Sequence, residues 1–158
     1  MSKKTNAVRK IEQQKITFEL IEYELTGEEL DGVTVADKIG YPVFVVYKTL
    51  LVTAGTNKHY VCIIPVHNEL NLKEVAKVVG EKKVELLPLK ELQSTTGYIR
   101  GGCSPIGMKK LLPTWIDASA EGLDFILVSG GKIGLQVKLN PHDLLQLTNG
   151  RIATIIKM

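Results

Sequence analysis

The sequence predicts an α+β fold in which the strands form one mixed, strongly curved sheet with helices around it. Three observations carry this expectation. Apolar runs of strand length outnumber the segments with helical spacing, the helices fall among them irregularly, and neither an internal repeat nor a linker divides the 158 residues. A chain of that length is expected to form a single domain, residues 1–158, around one substantial core.

The elements follow in order. Asn6 to Gln14 places Val8 and Ile11 at helical spacing, with Asn6 as a cap and Lys15 near the end, and its Lys3, Lys4, Arg9 and Lys10 make a basic surface. Phe18 to Leu25 alternates apolar and acidic residues and reads as a strand with one wet face; Thr26 to Gly32 reads as a loop. Val33 to Ile39 is a short helix capped by Thr34 and stopped by Gly40, with Pro42 beyond. Val43 to Val52, VFVVYKTLLV, is a buried strand carrying a single lysine.

Strand side chains alternate between faces, so Lys48 shares a face with Phe44, Val46, Leu50 and Val52. An ammonium in an apolar layer costs several kcal/mol, on the order given for a buried ion, unless it is paired, hydrated or faces a cavity. Two readings stand. The lysine extends its stem to the sheet edge or pairs with a distant carboxylate, or it lines a pocket for an anionic ligand.

Ala54 to Lys58 is a turn leading into the strand His59 to Pro65, making an antiparallel hairpin with the lysine strand. Asn71 caps a helix over Leu72 to Val79, stopped by Gly80. Val84 to Leu87 is a short strand and Leu89 to Ser94 a short helix or turn. Gly97 to Gly107, GYIRGGCSPIG, is a shaped loop, and Thr114 to Asp117 and Phe125 to Val128 are core strands. Ser129 to Gly134 is a glycine-rich turn into the strand Leu135 to Leu139. Pro141 to Leu147 opens a helix with proline in its first turn, and Ile152 to Ile156 is the last strand.

Composition narrows the function classes. A 44% hydrophobic and 23% charged chain is ordinary for a globular protein, and 6% aromatic residues argue against an aromatic base-stacking platform. With 20 basic and 17 acidic side chains the net charge of +3 permits a polyanionic partner without requiring one. No apolar run follows the basic N-terminus and none spans a bilayer, so neither a signal peptide nor a membrane partner is expected. Cys62 and Cys103, far apart and outside any CxxC, fit reduced thiols in the cytoplasm.

Most site chemistries are absent. Gly130, Gly131 and Lys132 lack the spacing and the following Ser or Thr of a phosphate loop. A strand would send His59 and Cys62 to opposite faces, away from a shared metal with His67, so no metal and no cofactor is expected. Cys103 has no local base and reads as a small apolar filler. The Gly101, Gly102, Ser104, Pro105 run remains. It either brings backbone N–H groups close to a carbonyl or developing oxyanion, or is a tight sheet connection.

VYKTLLV (Val46 to Val52), TGYIRGGCSPIG (Thr96 to Gly107), LPTWID (Leu112 to Asp117) and VSGGKIGLQVKL (Val128 to Leu139) resemble, in order and over nearly the whole chain, the YbaK/EbsC group of aminoacyl-tRNA deacylases. These are similar to the editing domain of bacterial prolyl-tRNA synthetases. The resemblance implies a barrel-like curved mixed sheet and hydrolysis of the ester joining a wrong amino acid to tRNA, typically cysteine on the proline tRNA. Its implied partners are the 3′ end of an aminoacyl-tRNA and, as a candidate, prolyl-tRNA synthetase. It assigns Lys48 to the terminal nucleotide and its phosphate, and the Gly101 and Gly102 amides to the substrate carbonyl. Tyr47, Thr49, Ser104, Pro105, Ser129, Gly130 and Gln136 are assigned to the substrate pocket. It implies neither a protein nucleophile nor a metal, because in the cysteine-specific members the substrate thiol attacks its own ester. Two departures bear on specificity. Gln136 stands where many such members carry an acidic residue, and Leu30 to Thr34 lacks their aromatic, so cysteine and another amino acid such as alanine both stand as candidates.

Overall fold

The computed structural model describes residues 4–24 and 31–158. Lys3, Leu25, most of the loop expected at Thr26 to Gly32, and Leu30 lie outside the described residues. Helix α1 spans Asn6–Gln13 and buries Ala7, Val8 and Ile11. Its cap is Thr5 rather than Asn6: the extended Thr5 backbone turns its hydroxyl oxygen back to accept the Val8 N–H at 3.1 Å. Strand β1 is only Glu19–Glu22, shorter than the expected Phe18 to Leu25. Helix α2, Gly32–Ile39, starts before Thr34 because the Asp31 carboxylate accepts from Thr34 N–H at 2.8 Å. Gly40 ends it in the left-handed conformation (φ 76°), as a glycine stop requires.

The lysine strand also starts late. Val43–Val45 is a 3-10 turn after Pro42, closed by Val45 N–H to Pro42 C=O at 3.2 Å, and β2 runs Tyr47–Thr53. Phe44 is consequently 56% exposed and belongs to no buried face. The hairpin holds: β2 pairs antiparallel with β3, His59–Pro65, from Tyr47 opposite Pro65 to Thr53 opposite His59. Helix α3 (Leu72–Val79), capped by Asn71, follows, then a two-residue β4 (Glu85–Leu86) and a 3-10 turn running into α4 (Leu92–Thr96). The remaining elements are β5 (Thr114–Asp117), β6 (Ile126–Ser129), β7 (Leu135–Leu139), α5 (Pro141–Thr148) and β8 (Arg151–Ala153). The last strand is thus short, and Ile156 makes only an isolated bridge to Leu70.

These strands form two sheets, a three-stranded β1-β7-β6 and a five-stranded β4-β2-β3-β5-β8. Neither is closed or strongly curled, which corrects the single barrel-like sheet expected from sequence. The mixed character holds, with β3, β5 and β8 parallel and the β2–β3 hairpin antiparallel. The sheets fail to merge because β6 meets β2 only through the parallel bridge Val46–Leu127. Their facing sides enclose the main core, including Ile63, Ile116, Ile126, Val137 and Leu144. The other side of the larger sheet packs Val52, Cys62 and Ile64 against Val75 and Ala76 of α3. Both faces of β2 therefore pack on apolar residues, Tyr47 and Leu51 on one side and Val52 on the other.

Asp117 anchors the end of this sheet. Its buried carboxylate accepts from Ser119 N–H and Ile155 N–H, both at 3.0 Å, tying the C-terminal segment to β5. Asp117→Ala would strand both amides, and a loss of about 3 kcal/mol is expected from two unmet buried donors. Urea unfolding of that variant checks it; an unchanged midpoint would show that the two bonds carry no net stability.

Candidate active site

A cavity of about 410 Å³ opens beside β2. Its position follows from hydrogen-bond parity along that strand. Val66 N–H donates to Val46 C=O at 2.9 Å, so even-numbered residues direct their backbone groups to β3. Leu87 N–H donates to Leu51 C=O at 3.0 Å, so odd-numbered residues face the outer edge. β4 covers that edge only at Val52 and Thr53, and the bridge to β6 lies at Val46. Between them no strand among the described residues pairs with the edge, and every residue from Val46 to Leu51 borders the cavity.

Lys48 sits in this gap, half-buried. Among the described residues no carboxylate lies within ion-pair distance of it. Burial holds its ammonium below the ordinary lysine range, with Glu69 opposing from a distance. Lys48 thus borders the cavity without an ion-pair partner among the described residues. Arg100 also borders the cavity.

The expected site residues separate into two groups. Tyr47, Lys48, Thr49, Gly101, Ser129 and Gln136 border the cavity. The Tyr47 hydroxyl is engaged with Ser119 Oγ at 2.8 Å, so this residue contributes its backbone and ring rather than a free hydroxyl. Gly102, Ser104, Pro105 and Gly130 are buried behind the lining. The Gly102 amide already donates to Ile99 C=O at 3.0 Å, which removes it as an oxyanion donor. Ser104 is fully buried and its hydroxyl oxygen accepts the Ile106 N–H at 3.2 Å. Gly130 donates to Leu135 C=O at 2.8 Å, and its own C=O accepts the Thr5 hydroxyl at 2.5 Å. None of these four borders the cavity.

The two glycine loops brace each other. A Cβ on Gly102 would lie 2.8 Å from Lys132 Cα, and one on Gly131 would meet Thr5 and Tyr98 at 3.0 Å. Gly101 has φ +84°, a left-handed conformation that glycine adopts without strain, and it turns the loop toward the cavity.

Several lining residues carry no sequence signal for a site. Leu86, Leu87, Leu89 and Leu92 look like ordinary core or surface leucines, and only the fold brings them to the cavity. Cys103 reaches the cavity while packing on the main core. Burial pushes its thiol up to about 11, so at neutral pH it is a protonated, weakly nucleophilic group, in keeping with an apolar filler. No group of three or more His, Cys, Asp or Glu among the described residues could hold a metal ion, and no described helix is long and apolar enough to cross a membrane.

Comparison with known proteins converges on one family. The chain is 45% identical over 152 residues to an Enterococcus faecalis protein provisionally named Cys-tRNA(Pro)/Cys-tRNA(Cys) deacylase EbsC, covering 96% of this chain and 93% of that one. A solved structure provisionally described as a trans-editing enzyme for prolyl-tRNA synthetase superposes with a TM-score of 0.85 at 22% identity, over 99% of this chain and 100% of that one. A second, described only as a hypothetical protein, gives 0.87 at 20% identity, over 96% and 99%. At those identities the two structures show the shared fold. The aminoacyl-tRNA editing domain matches residues 31–147, which include β2, both glycine loops and Gln136. On the strength of that match and of the 45% identical relative, this chain belongs to the aminoacyl-tRNA editing domain family.

Proposed function

We propose that this protein is a trans-editing hydrolase, acting as one domain, that frees mischarged tRNA of its amino acid, with Cys-tRNA(Pro) the first substrate to test. The observation that carries the reading is the edge of β2, where a lysine with no ion-pair partner among the described residues and a glycine loop face one cavity. Lys48 holds the terminal phosphate or ribose of the tRNA, with Arg100 as a second cation toward the polyanion. With Gly102 committed to Ile99, the N–H of cavity-bordering Gly101 is the donor to the ester carbonyl in this reading. The name of the Enterococcus relative supports cysteine as the amino acid.

The chemistry needs little from the side chains. A nucleophile adds to the ester carbonyl, charge collects on its oxygen, and the ribose oxygen leaves with a proton to regenerate the tRNA hydroxyl. With a cysteinyl ester the substrate thiol supplies that nucleophile, and water opens the resulting thioester ring. Positioning and an oxyanion donor are then the protein's share.

Purified protein incubated with a panel of charged tRNAs tests this. Release of cysteine from Cys-tRNA(Pro) is expected, unchanged in Cys103→Ala. Salt-dependent tRNA binding without release of any amino acid would show a binding module instead, and loss of activity in Cys103→Ala would place the nucleophile on the protein.

A further inference from the structure

Charge is unevenly spread over this chain. Residues 4–13, 97–110 and 129–134 carry seven of the 20 basic side chains, Lys4, Arg9, Lys10, Arg100, Lys109, Lys110 and Lys132, but only one of the 17 acidic ones, Glu12. The rest of the chain is acidic on balance, although the whole carries +3. Between Glu91 and Asp117, and again between Asp124 and Asp143, there is no acidic residue at all. Glu12 is already engaged, since Lys4 donates to it at 2.8 Å. Among the described residues no carboxylate lies within ion-pair distance of the other six cations.

The three segments are far apart in sequence and packed against one another. The N-terminal end of α1 sits between the two glycine loops: the Thr5 hydroxyl donates to Gly130 C=O, and a Cβ on Gly107 would lie 2.9 Å from Asn6 C and O. Lys109 N–H donates to Thr96 C=O at 3.0 Å, and Lys109 Cγ would lie 3.3 Å from a Cβ on Gly97, three residues before Arg100. Lys132 packs its backbone on Gly102, two residues after Arg100. Arg9, Arg100, Lys109 and Lys110 are exposed, and Lys10 and Lys132 are half-buried. The segments that carry these cations thus form one contiguous patch, which meets the cavity at Arg100 and reaches α1.

Exposed lysines ordinarily sit on a solvated face of mixed sign. Cations gathered without counter-charges repel one another, a cost that a polyanion offsets. The cavity, at about 410 Å³, is the size of a small-molecule site, so the rest of a tRNA whose 3′ end enters it must lie outside, and at Arg100 uncompensated positive charge meets its rim. We propose that α1 and the two glycine loops form a phosphate-contacting surface for the acceptor stem of tRNA. This takes its ligand from the deacylase reading above and rests on it. Helix α1 lies outside residues 31–147, so its share of the surface is no part of the matched editing domain. Contacts to phosphate carry no sequence information, and the grip is therefore indifferent to which tRNA is held.

Three double variants of equal charge change test this. Two lie in the patch, Arg9→Gln/Lys10→Gln and Lys109→Gln/Lys110→Gln; the control is Lys82→Gln/Lys83→Gln, between α3 and β4 with Glu81 and Glu85 beside it. The measurements are Kd for uncharged full-length tRNA over a salt series, and kcat/KM for the aminoacyl-tRNA cleaved fastest in the panel against the same aminoacyl group on the 3′-terminal trinucleotide. The wild-type affinity is expected to fall with salt at a double-logarithmic slope of about 5 for six phosphate contacts, and each patch double to lower that slope by about two. At low salt each patch double loses about tenfold in kcat/KM on the full-length substrate and nothing on the trinucleotide, while the control loses nothing on either. All three keep their urea midpoint, because none of the replaced cations has an ion-pair partner among the described residues. Patch doubles that match the control on full-length tRNA overturn the surface and leave the cations to an acidic protein partner. An equal loss on both substrates also overturns it, by placing the effect in the cavity or the fold. A wild type that cleaves neither substrate removes the deacylase reading, and the salt slopes of the four proteins then decide the tRNA surface by themselves.

Discussion

Lys48→Met is expected to lose at least a hundredfold in deacylation while folding as well as the wild type or better. The two halves of that result have one cause. The lysine is half-buried with no carboxylate in ion-pair range among the described residues, and burial depresses its pKa. A lysine whose folded pKa lies below its unfolded value of 10.5 binds its proton more weakly in the native state. The resulting cost to stability is fully present below the folded pKa and is relieved as pH rises from there toward 10.5. At neutral pH the cost is therefore in force, and a methionine of similar length removes it while keeping the packing of the stem. What methionine cannot do is hold a phosphate or a developing charge. Lys48→Arg separates these effects: it keeps a cation that binds phosphate but with a planar fork in place of a compact ammonium, so partial activity is expected. Denaturant unfolding and single-turnover deacylation of the three proteins decide it. Full activity in Lys48→Met would remove the lysine from the mechanism, and a sharp loss of stability would show that its role is structural.

Lys48 was legible in the sequence because it breaks a local pattern, one charge in ten residues of apolar strand. The β2–β3 hairpin was legible for a similar reason, with two apolar runs on either side of a turn segment. So were α3, with Asn71 before it and Gly80 after, and α5, with Pro141 in its first turn. The misplaced helix starts show the limit of that reasoning. Asn6 and Thr34 are good capping residues, but Thr5 and Asp31 are equally good and lie one and three residues earlier. Backbone direction, not residue type, chooses between them. The stretch of β2 edge left unpaired among the described residues was not legible at all. It arises because β4 ends after two residues and β6 diverges after one bridge, both contacts between segments far apart in the chain. The exposure of four leucines to the cavity depends on that gap.

Within the glycine loop, sequence could not say which amide faces a ligand and which glycine is there for packing. In the structure Gly101 borders the cavity and Gly102 packs on Lys132, and Gly102→Ala should therefore be the more damaging of two neighbouring substitutions. Gly102 does not have positive φ, so alanine suits its backbone; the obstacle is a Cβ 2.8 Å from Lys132 Cα, 2.9 Å from Lys132 C and 3.0 Å from Ile133 N. Those are backbone atoms and cannot rotate away. The wedge must separate the loop from the glycine turn, at a cost of about 1–3 kcal/mol as for other overpacked sites. Separation also moves Gly101 and Ser129, the cavity-bordering residues on either side of the contact, and a displacement of about 1 Å is enough to cost on the order of a hundredfold in rate. Gly101→Ala acts differently. Its φ of +84° strains an alanine by about 1 kcal/mol. Measured side by side, Gly102→Ala is expected to lose more stability in urea and more deacylation rate than Gly101→Ala. The opposite order in stability would mean that the two glycine loops are not braced against each other. The opposite order in rate alone would mean that the Gly101 turn, rather than loop contact, sets the position of the oxyanion donor.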